Sequence, residues 1–552
     1  MGDTVDRRLD ADVLVIGGGP AGAWAAWSAA TNGAKVVLVD KGYLGSSGAT
    51  APGGTNLLYL PPDKEMREKA VQNRLKQGGY LAEPAWIHRV LDQVYINMEL
   101  IESWGYPFVR DENGMPMRDH LHGPEYMAIM RKVVKRAGVI ILDHSPALEL
   151  LVDGFGVGGA RGVSRQDGKE WEVRANAVVI ATGGCAFLSK GLGCNVLTGD
   201  GYLLAGELGA QLSGMEFTRR YAPAPAFGSN TRSRLLGWAS YYDENGNELH
   251  GARQGDFLAE RLLHGPVYAI MNKADTPEKQ AILRKSHAIF FLPYDRAGIN
   301  VFEQPFPLTL RYEGTVRGTG GIRIVSDECG TTIPGLYAAG DAATRERITG
   351  SASGGGAFNA SWAICSGTWS GQGAASYALS HGRSAAARNL KPAGRYGLEG
   401  KAEAVRRPSG ATSASEATRG LIEAIQQQVL PLPINYFRTE TGLKGALGQL
   451  ESIWQRVNSQ FPQTPIELVR AREAAAMTAT ARWMYTAALS RKETRSGGLH
   501  ALAEYPEQDE AQQYRLLVSG LESIKVETEL VPNAPAQPPV ANAVSAKEVQ
   551  AG

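Results

Sequence analysis

The 552-residue sequence predicts an α/β fold: a Rossmann-like domain, an inserted α+β capping domain and a C-terminal helical domain. Three observations predict it. A strand over Ala11 to Ile16, a glycine loop, a helix to about Asn32 and a second strand over Val36 to Val39 make a β-α-β unit within about thirty residues. Glycine-rich character stops near residue 216 and returns at 318–381, which marks 216–318 as an insert. Beyond residue 416 the apolar positions fall at helical spacing, as in Ala474, Met477, Ala481, Met484 and Ala488, read as helix-packing core.

The remaining elements follow in chain order. Ile87, Leu91, Val94, Met98 and Ile101 predict a helix over Pro84 to Trp104, and a second amphipathic helix is expected from Glu125 to Lys135. Strands are expected from Val139 to Ile180, with turns at Asp153-Gly154 and Asp167-Gly168. The domain expectation is 10–215 plus 319–381 for the discontinuous nucleotide domain and 216–318 for the cap. A linker at 382–415, helices at 416–531 and a disordered tail at 532–552 complete it.

Composition removes several functions. Lys plus Arg (57) nearly cancels Asp plus Glu (56), so nothing drives the chain toward nucleic acid. Cys185, Cys194, Cys329 and Cys365 form no C-x-x-C pair, so no iron–sulfur cluster or zinc ribbon is expected within the chain. No signal peptide and no transmembrane segment are read, and a cytoplasmic location is expected. His120 and His122 lack a third ligand nearby, so no metal is expected.

Gly17-x-Gly19-Pro20-Ala21-Gly22 lies where a strand ends and a helix begins, and Asp40 ends the next strand. Gly17 permits the tight turn, Gly19 a close approach to a pyrophosphate, and Gly22 helix–strand packing. The helix N-terminus offers free N–H groups to phosphate, and Asp40 a ribose contact. Two further segments, Ala177 to Ala181-Thr182-Gly183-Gly184 and Gly335 to Gly340-Asp341, resemble the paired signatures of FAD proteins. FAD is therefore the expected cofactor.

With Ser47-Gly48-Ala49-Thr50-Ala-Pro-Gly53-Gly54, Thr198-Gly-Asp200-Gly, Gly320-Gly-Ile322, Gly354-Gly-Gly356 and Arg491 to His500, the chain resembles the fumarate reductase/succinate dehydrogenase flavoprotein superfamily. His122-Gly-Pro-Glu-Tyr126, Met215-Glu216 and Gly237-Trp238 look most like the α-subunit of dissimilatory adenylylsulfate reductase. The resemblance implies cofactor contacts from these loops and from Lys41 and Asn359. It also implies a small anionic, sulfur-containing or dicarboxylate substrate, and a separate ferredoxin-type iron–sulfur subunit.

Departures from the family carry chemistry. Ser47 stands where a histidine can link the flavin covalently, so the FAD is expected to be non-covalent. Val316, Ala222 and the stretch Ala352 to Gly355 stand where a dicarboxylate clamp has histidines and an arginine, which argues against simple fumarate or succinate turnover. Arg261, by its likeness to the family's catalytic arginine, is either a substrate ligand or a surface arginine of an amphipathic helix. Trp238 is read as a pocket wall or as a core or lid residue. Tyr221 is carried as a substrate contact, and Arg345 and Arg347 as substrate contacts or a solvated loop pair. Rival readings are a fumarate-reductase-like enzyme for an unsaturated acid and a non-catalytic FAD-binding subunit.

Overall fold

A computed structural model of the chain describes residues 5–231, 233–251, 254–382, 384–396, 398, 414–458, 462, 464–495 and 497–532. Its centre is a five-stranded parallel sheet in the order Leu336–Ala338, Ala177–Ile180, Val13–Ile16, Val36–Val39, Ile140–Leu142. Val13–Ile16, Val36–Val39 and Ala177–Ile180 are buried throughout, which is why they read as unbroken apolar runs without alternation.

The helix Pro20–Thr31 starts at an N-cap glycine with Pro20 at its first position. It packs on Gly355–Ser380 through small residues. A Cβ on Gly367 would sit 2.4 Å from the Ala21 carbonyl oxygen, and one on Gly371 2.3 Å from that of Ala25. Trp24 is wholly buried, and its Nε1 donates 2.8 Å to the Tyr126 hydroxyl, tying this helix to Gly123–Arg136. The amphipathic helix expected from Pro84 spans Pro84–Ser103.

A second sheet joins Arg7–Asp10, Glu170–Arg174, Gly156–Val163, Ala147–Asp153 and Lys391–Pro392. The last pair lies inside the segment read as a linker. It is held by Lys391 and Pro392 opposite Val152 and Leu151, and by Arg388 on Asp153 at 2.6 Å. Residues 399–413 of that segment, and 533–552 of the expected tail, lie outside the described residues.

The insert builds its own antiparallel sheet, Tyr221–Pro225, Phe306–Tyr312, Val267–Ile270, Ser240–Tyr242, Glu248–Leu249, with the expected turn at Asp243-Glu-Asn-Gly246. Its helices include Gln254–Leu262, Pro277–Ser286 and Ala288–Arg296. A core of its own, including Phe257, Phe290, Phe291, Tyr294 and Phe306, fills it.

Downstream lie the helices Ala414–Val429, Leu432–Asn435, Glu440–Val457 and Pro465–Ser490. The stripe from Ala474 to Ala488 is buried, as read. The helical expectation for 416–531 needs one addition. Tyr514–Ser519 and Lys525–Leu530 form a hairpin that continues through Leu212–Ser213 to Gly321–Ile322. Each strand is six residues long, too short for its alternation to stand out from a helical surround.

Where this hairpin meets the nucleotide domain, charged groups are buried together. Arg491 Nε donates 2.8 Å to Glu216, its Nη1 3.1 Å to Glu493, and Arg495 pairs with Glu493 at 2.7 Å. All of these side chains are at or near zero exposure. Glu346, also fully buried, accepts a hydrogen bond from Ser213 Oγ, while its Oε1 has no protein donor. Burial, and then the neighbouring Glu216 carboxylate, push Glu346 from 4.5 up to about 7, against the pull of Arg515 and Arg491.

A raised acid in the folded state means that the unfolded chain binds fewer protons between pH 4.5 and 7, so stability falls as pH rises through that window. Urea denaturation across the window is expected to show a decline on the order of a few kcal/mol. Glu346→Gln should flatten it, and an unchanged slope would show that the decline comes from other groups.

Candidate functional site

At the carboxyl ends of the central strands lies a cleft of ≈330 Å³. Its floor is the turn after Val13–Ile16. Gly17 adopts φ +113°, and a Cβ there would meet the Ala181 carbonyl oxygen at 2.3 Å. A Cβ on Gly22 would meet the Gly17 oxygen at 1.8 Å. Only glycine fits either place. No side chain caps the helix that follows, so its first N–H groups stay available to an anion. Gly48 presses on this turn from the other side, with its hypothetical Cβ 2.7 Å from Pro20 Cδ.

One end of the cleft is built around Asp40, whose carboxylate accepts from the Gly18 N–H at 3.0 Å and from the Ser47 hydroxyl. Ser47 Oγ also accepts from the Tyr43 N–H at 3.1 Å. Beside it Lys41 Nζ donates to Asp200 at 2.8 Å, Glu473 at 3.0 Å and Thr198 at 3.0 Å. Burial by itself lowers the Lys41 ammonium, but attraction to Asp200 and Glu473 outweighs it and leaves the group raised and charged.

Val316, Arg317, Gly340, Asp341 and Asn359 line the other end. Asn359 is 6% exposed. Its Nδ2 donates to the Val316 carbonyl at 3.3 Å, while Oδ1 has no protein donor. A buried acceptor without a partner costs about 1–3 kcal/mol unless a ligand supplies the proton. Together with the glycine cradle and the open helix N-terminus, it fits a dinucleotide lying along the cleft. Arg317 Nη1 donates to the Gly355 carbonyl at 3.2 Å, its Nε stands 3.8 Å from Glu313, and the side chain is 30% exposed. Burial would lower its guanidinium, Glu313 raises it further, and the net shift is upward, so it is a standing cation.

The structure gathers most of the expected cofactor residues on this wall: Gly17, Gly19, Pro20, Ala21, Asp40, Lys41, Ser47, Gly48, Ala49, Thr50, Gly54, Ala181, Thr182, Gly183, Asp200, Gly340, Asp341 and Asn359. Gly22, Gly53 and Gly356 lie behind it. Gly22 packs under Gly17, Gly53 donates to the Thr50 carbonyl, and the Gly356 carbonyl accepts from Thr55.

The expected substrate residues are placed elsewhere. Arg261 is on the exposed face of the cap helix, its guanidinium 5.8 Å from the Phe257 ring centre. Trp238, 38% exposed, ends a short 3-10 helix of the cap and does not line the cleft. Tyr221 is buried and donates to the Leu430 carbonyl at 3.0 Å. Arg345 is not a solvated loop residue: wholly buried, it binds Asp341 and the carbonyls of Thr315, Val316 and Gly318. Arg347 pairs with Glu83 at 3.6 Å and lies over Trp86.

Sequence reasoning passed over Arg317, Arg165, Arg470 and Glu473. Arg317 had a signal, because it follows Val316 and opens the Gly318-Thr-Gly-Gly321 turn. Glu473 had none, since it sits in a helix read only for its apolar stripe.

The FAD binding domain family matches residues 12–224, and the fumarate reductase flavoprotein C-terminal family matches 426–540. An uncharacterised FAD-dependent oxidoreductase of Methanocaldococcus jannaschii is 24% identical over 93% of this chain and 97% of its own length. A fumarate reductase (CoM/CoB) subunit of Methanothermobacter marburgensis is 25% identical over 60% of this chain and 67% of its own. Among solved structures, a variant of E. coli quinol fumarate reductase FrdA superposes with TM-score 0.77 at 21% identity, covering 97% and 98% of the two chains. Adenylylsulfate reductase from Archaeoglobus fulgidus does so with TM-score 0.75 at 19% identity, covering 98% of each. At those identities the structural likeness speaks for the fold.

Gly17→Val should leave a chain that purifies without bound flavin, because the new side chain meets the Ala181 backbone. Normal visible flavin absorbance in that variant would show that the turn does not hold the cofactor.

Proposed function

The chain belongs to the fumarate reductase/succinate dehydrogenase flavoprotein superfamily and is an FAD-dependent oxidoreductase, and we propose that it exchanges electrons between a small anionic substrate, bound by Arg317, and an external carrier. The carrying observation is Arg317, a part-exposed cation on the cleft wall, next to Val316, whose carbonyl Asn359 bonds. Bound FAD supplies the two-electron chemistry, and the protein supplies binding, orientation and charge. The Gly17–Gly19 turn and the open helix N-terminus would hold pyrophosphate, Asp40 would take ribose, and Asn359 Oδ1 would accept a hydrogen bond from the cofactor. With Ser47 Oγ engaged by Asp40, non-covalent attachment is the reading.

Several features bear on the substrate. Val316 lines the cleft where the family has a clamping histidine, Tyr221 is turned into the core, and Ala352 is a buried alanine. Arg165 and Arg470 bond to the Lys41 carbonyl and to Glu473 at the Asp40 end, which leaves Arg317 as the cleft arginine beside Val316. One cation there suits one anionic group better than two, which supports a sulfur-containing or monocarboxylate anion over fumarate. The likeness to a fumarate reductase (CoM/CoB) chain supports the second reading, an enzyme for an unsaturated acid. All four cysteines are buried and unpaired, and among the described residues no group of three or more His, Cys, Asp or Glu could hold a metal. The external carrier is read, from the family resemblance, as a ferredoxin-type iron–sulfur subunit. No helix among the described residues is long and apolar enough to cross a membrane.

An anaerobic screen of adenylylsulfate, sulfonates, dicarboxylates and enoates, read as substrate-dependent bleaching of bound flavin, separates the readings. No bleaching by any of them would favour a non-catalytic subunit. Arg317→Met is expected to keep its FAD and lose roughly ten- to a hundredfold in kcat/KM, the worth of one charge-assisted bond. Arg317→Lys should recover part of it, and a Met variant as active as the parent would remove Arg317 from the substrate site.

A further inference from the structure

The far wall of the cleft comes from the C-terminal helical unit. Helix Pro465–Ser490 opens on a capping box between Thr464 and Glu467, and its first turns carry two cleft-lining side chains, Arg470 and Glu473. Glu473 is 6% exposed. One oxygen accepts from Lys41 at 3.0 Å and the other from Arg470 at 2.6 Å. Lys41 also binds Asp200 at 2.8 Å, so one ammonium holds a carboxylate from each unit.

The same helix is seated nearby by other means. Arg472 pairs with the buried Glu207 at 2.6 Å and donates to the Tyr396 carbonyl, while Leu468 and Val469 pack on Leu148 and Val163. Glu473 is therefore held at a defined place and faces the end of the cleft that Asp40 marks. An acid at the end of the second strand of this motif meets the adenosine ribose. Lys41, Ala147 and Arg165 line that same end.

We propose that Glu473 and Arg470 complete the adenosine side of the FAD site, so that cofactor loading and docking of the C-terminal helix are one linked event. This rests on the FAD reading above. A ligand touching both units favours the docked state in proportion to its affinity, and docking in turn raises that affinity. The flavin half, bound at the Arg317 and Asn359 end, has no part in the linkage.

Backbone amide exchange over 465–490, followed in the full chain, tests this. FAD and ADP are each expected to slow exchange there, whereas FMN, which lacks the adenosine half, should leave it unchanged. Titration should show Glu473→Gln binding FAD about tenfold or more weakly, the loss of one charge-assisted contact. Arg470→Ala, at a half-exposed site that does not threaten folding, should shift it in the same direction. The linkage is overturned if FAD binds yet protects 465–490 no more than FMN, or if both variants bind FAD like the parent. A parent chain that binds no FAD at all would remove the cofactor reading itself, and the linkage with it.

Discussion

The strands Val13–Ile16 and Ala177–Ile180 run side by side, and just past their ends Gly17 comes so near Ala181 that a Cβ would lie 2.3 Å from its carbonyl oxygen. That contact sets the spacing of everything around it. Gly22 must then lie against Gly17, which fixes where helix Pro20–Thr31 starts, and Gly367 and Gly371 bring the long helix Gly355–Ser380 against it. The cleft exists because these backbones meet without side chains between them. Glycine at these positions is therefore a packing requirement of the fold itself.

A second layer of order comes from charge placed out of water. Arg491, Glu493, Arg495 and Glu216 are unexposed and pair with one another across the join between hairpin, helix and nucleotide domain. Such groups contribute little net stability against an apolar replacement, but removing one partner leaves a buried charge and costs about 3–5 kcal/mol. Their effect is to allow one docking of the C-terminal unit and to penalise others. His500 belongs to this layer: burial, then Arg438 and Arg491, hold it neutral, and its ring accompanies the Arg491 carbonyl at 2.9 Å.

What was legible in the sequence follows a simple division. Features made by backbone sterics could be read, because only glycine satisfies them. Gly17 and Gly19, expected from their spacing, and Gly48 and Gly183, expected from the resemblance, all line the cleft. The apolar strands could be read because both faces of a parallel sheet are covered. Side chains whose meaning depends on what lies across space could not. Arg345 and Arg347 look alike in a loop after Asp341, yet one caps the carbonyls of the 314–318 turn and the other lies over Trp86. Arg261 was expected at the family's arginine position by resemblance, but the helix carrying it turns that face to solvent. Glu473 is more than four hundred residues from Lys41 in the chain, and nothing local announces their pairing.

The saturation of Arg345 has a further consequence. Its guanidinium holds the carbonyls of Thr315, Val316 and Gly318 from behind, so the turn carrying Val316 and Arg317 keeps its shape through its backbone alone. The part-exposed Arg317 side chain can then be exchanged without moving the frame, whereas Val316 is buried in a cluster with Ala186, Cys194 and Leu197. A point change at 317 would then alter the charge on the cleft wall while the backbone that shapes it stays in place. Over evolutionary time residue 317 should therefore be free to diverge, while the buried Arg345 is held constant.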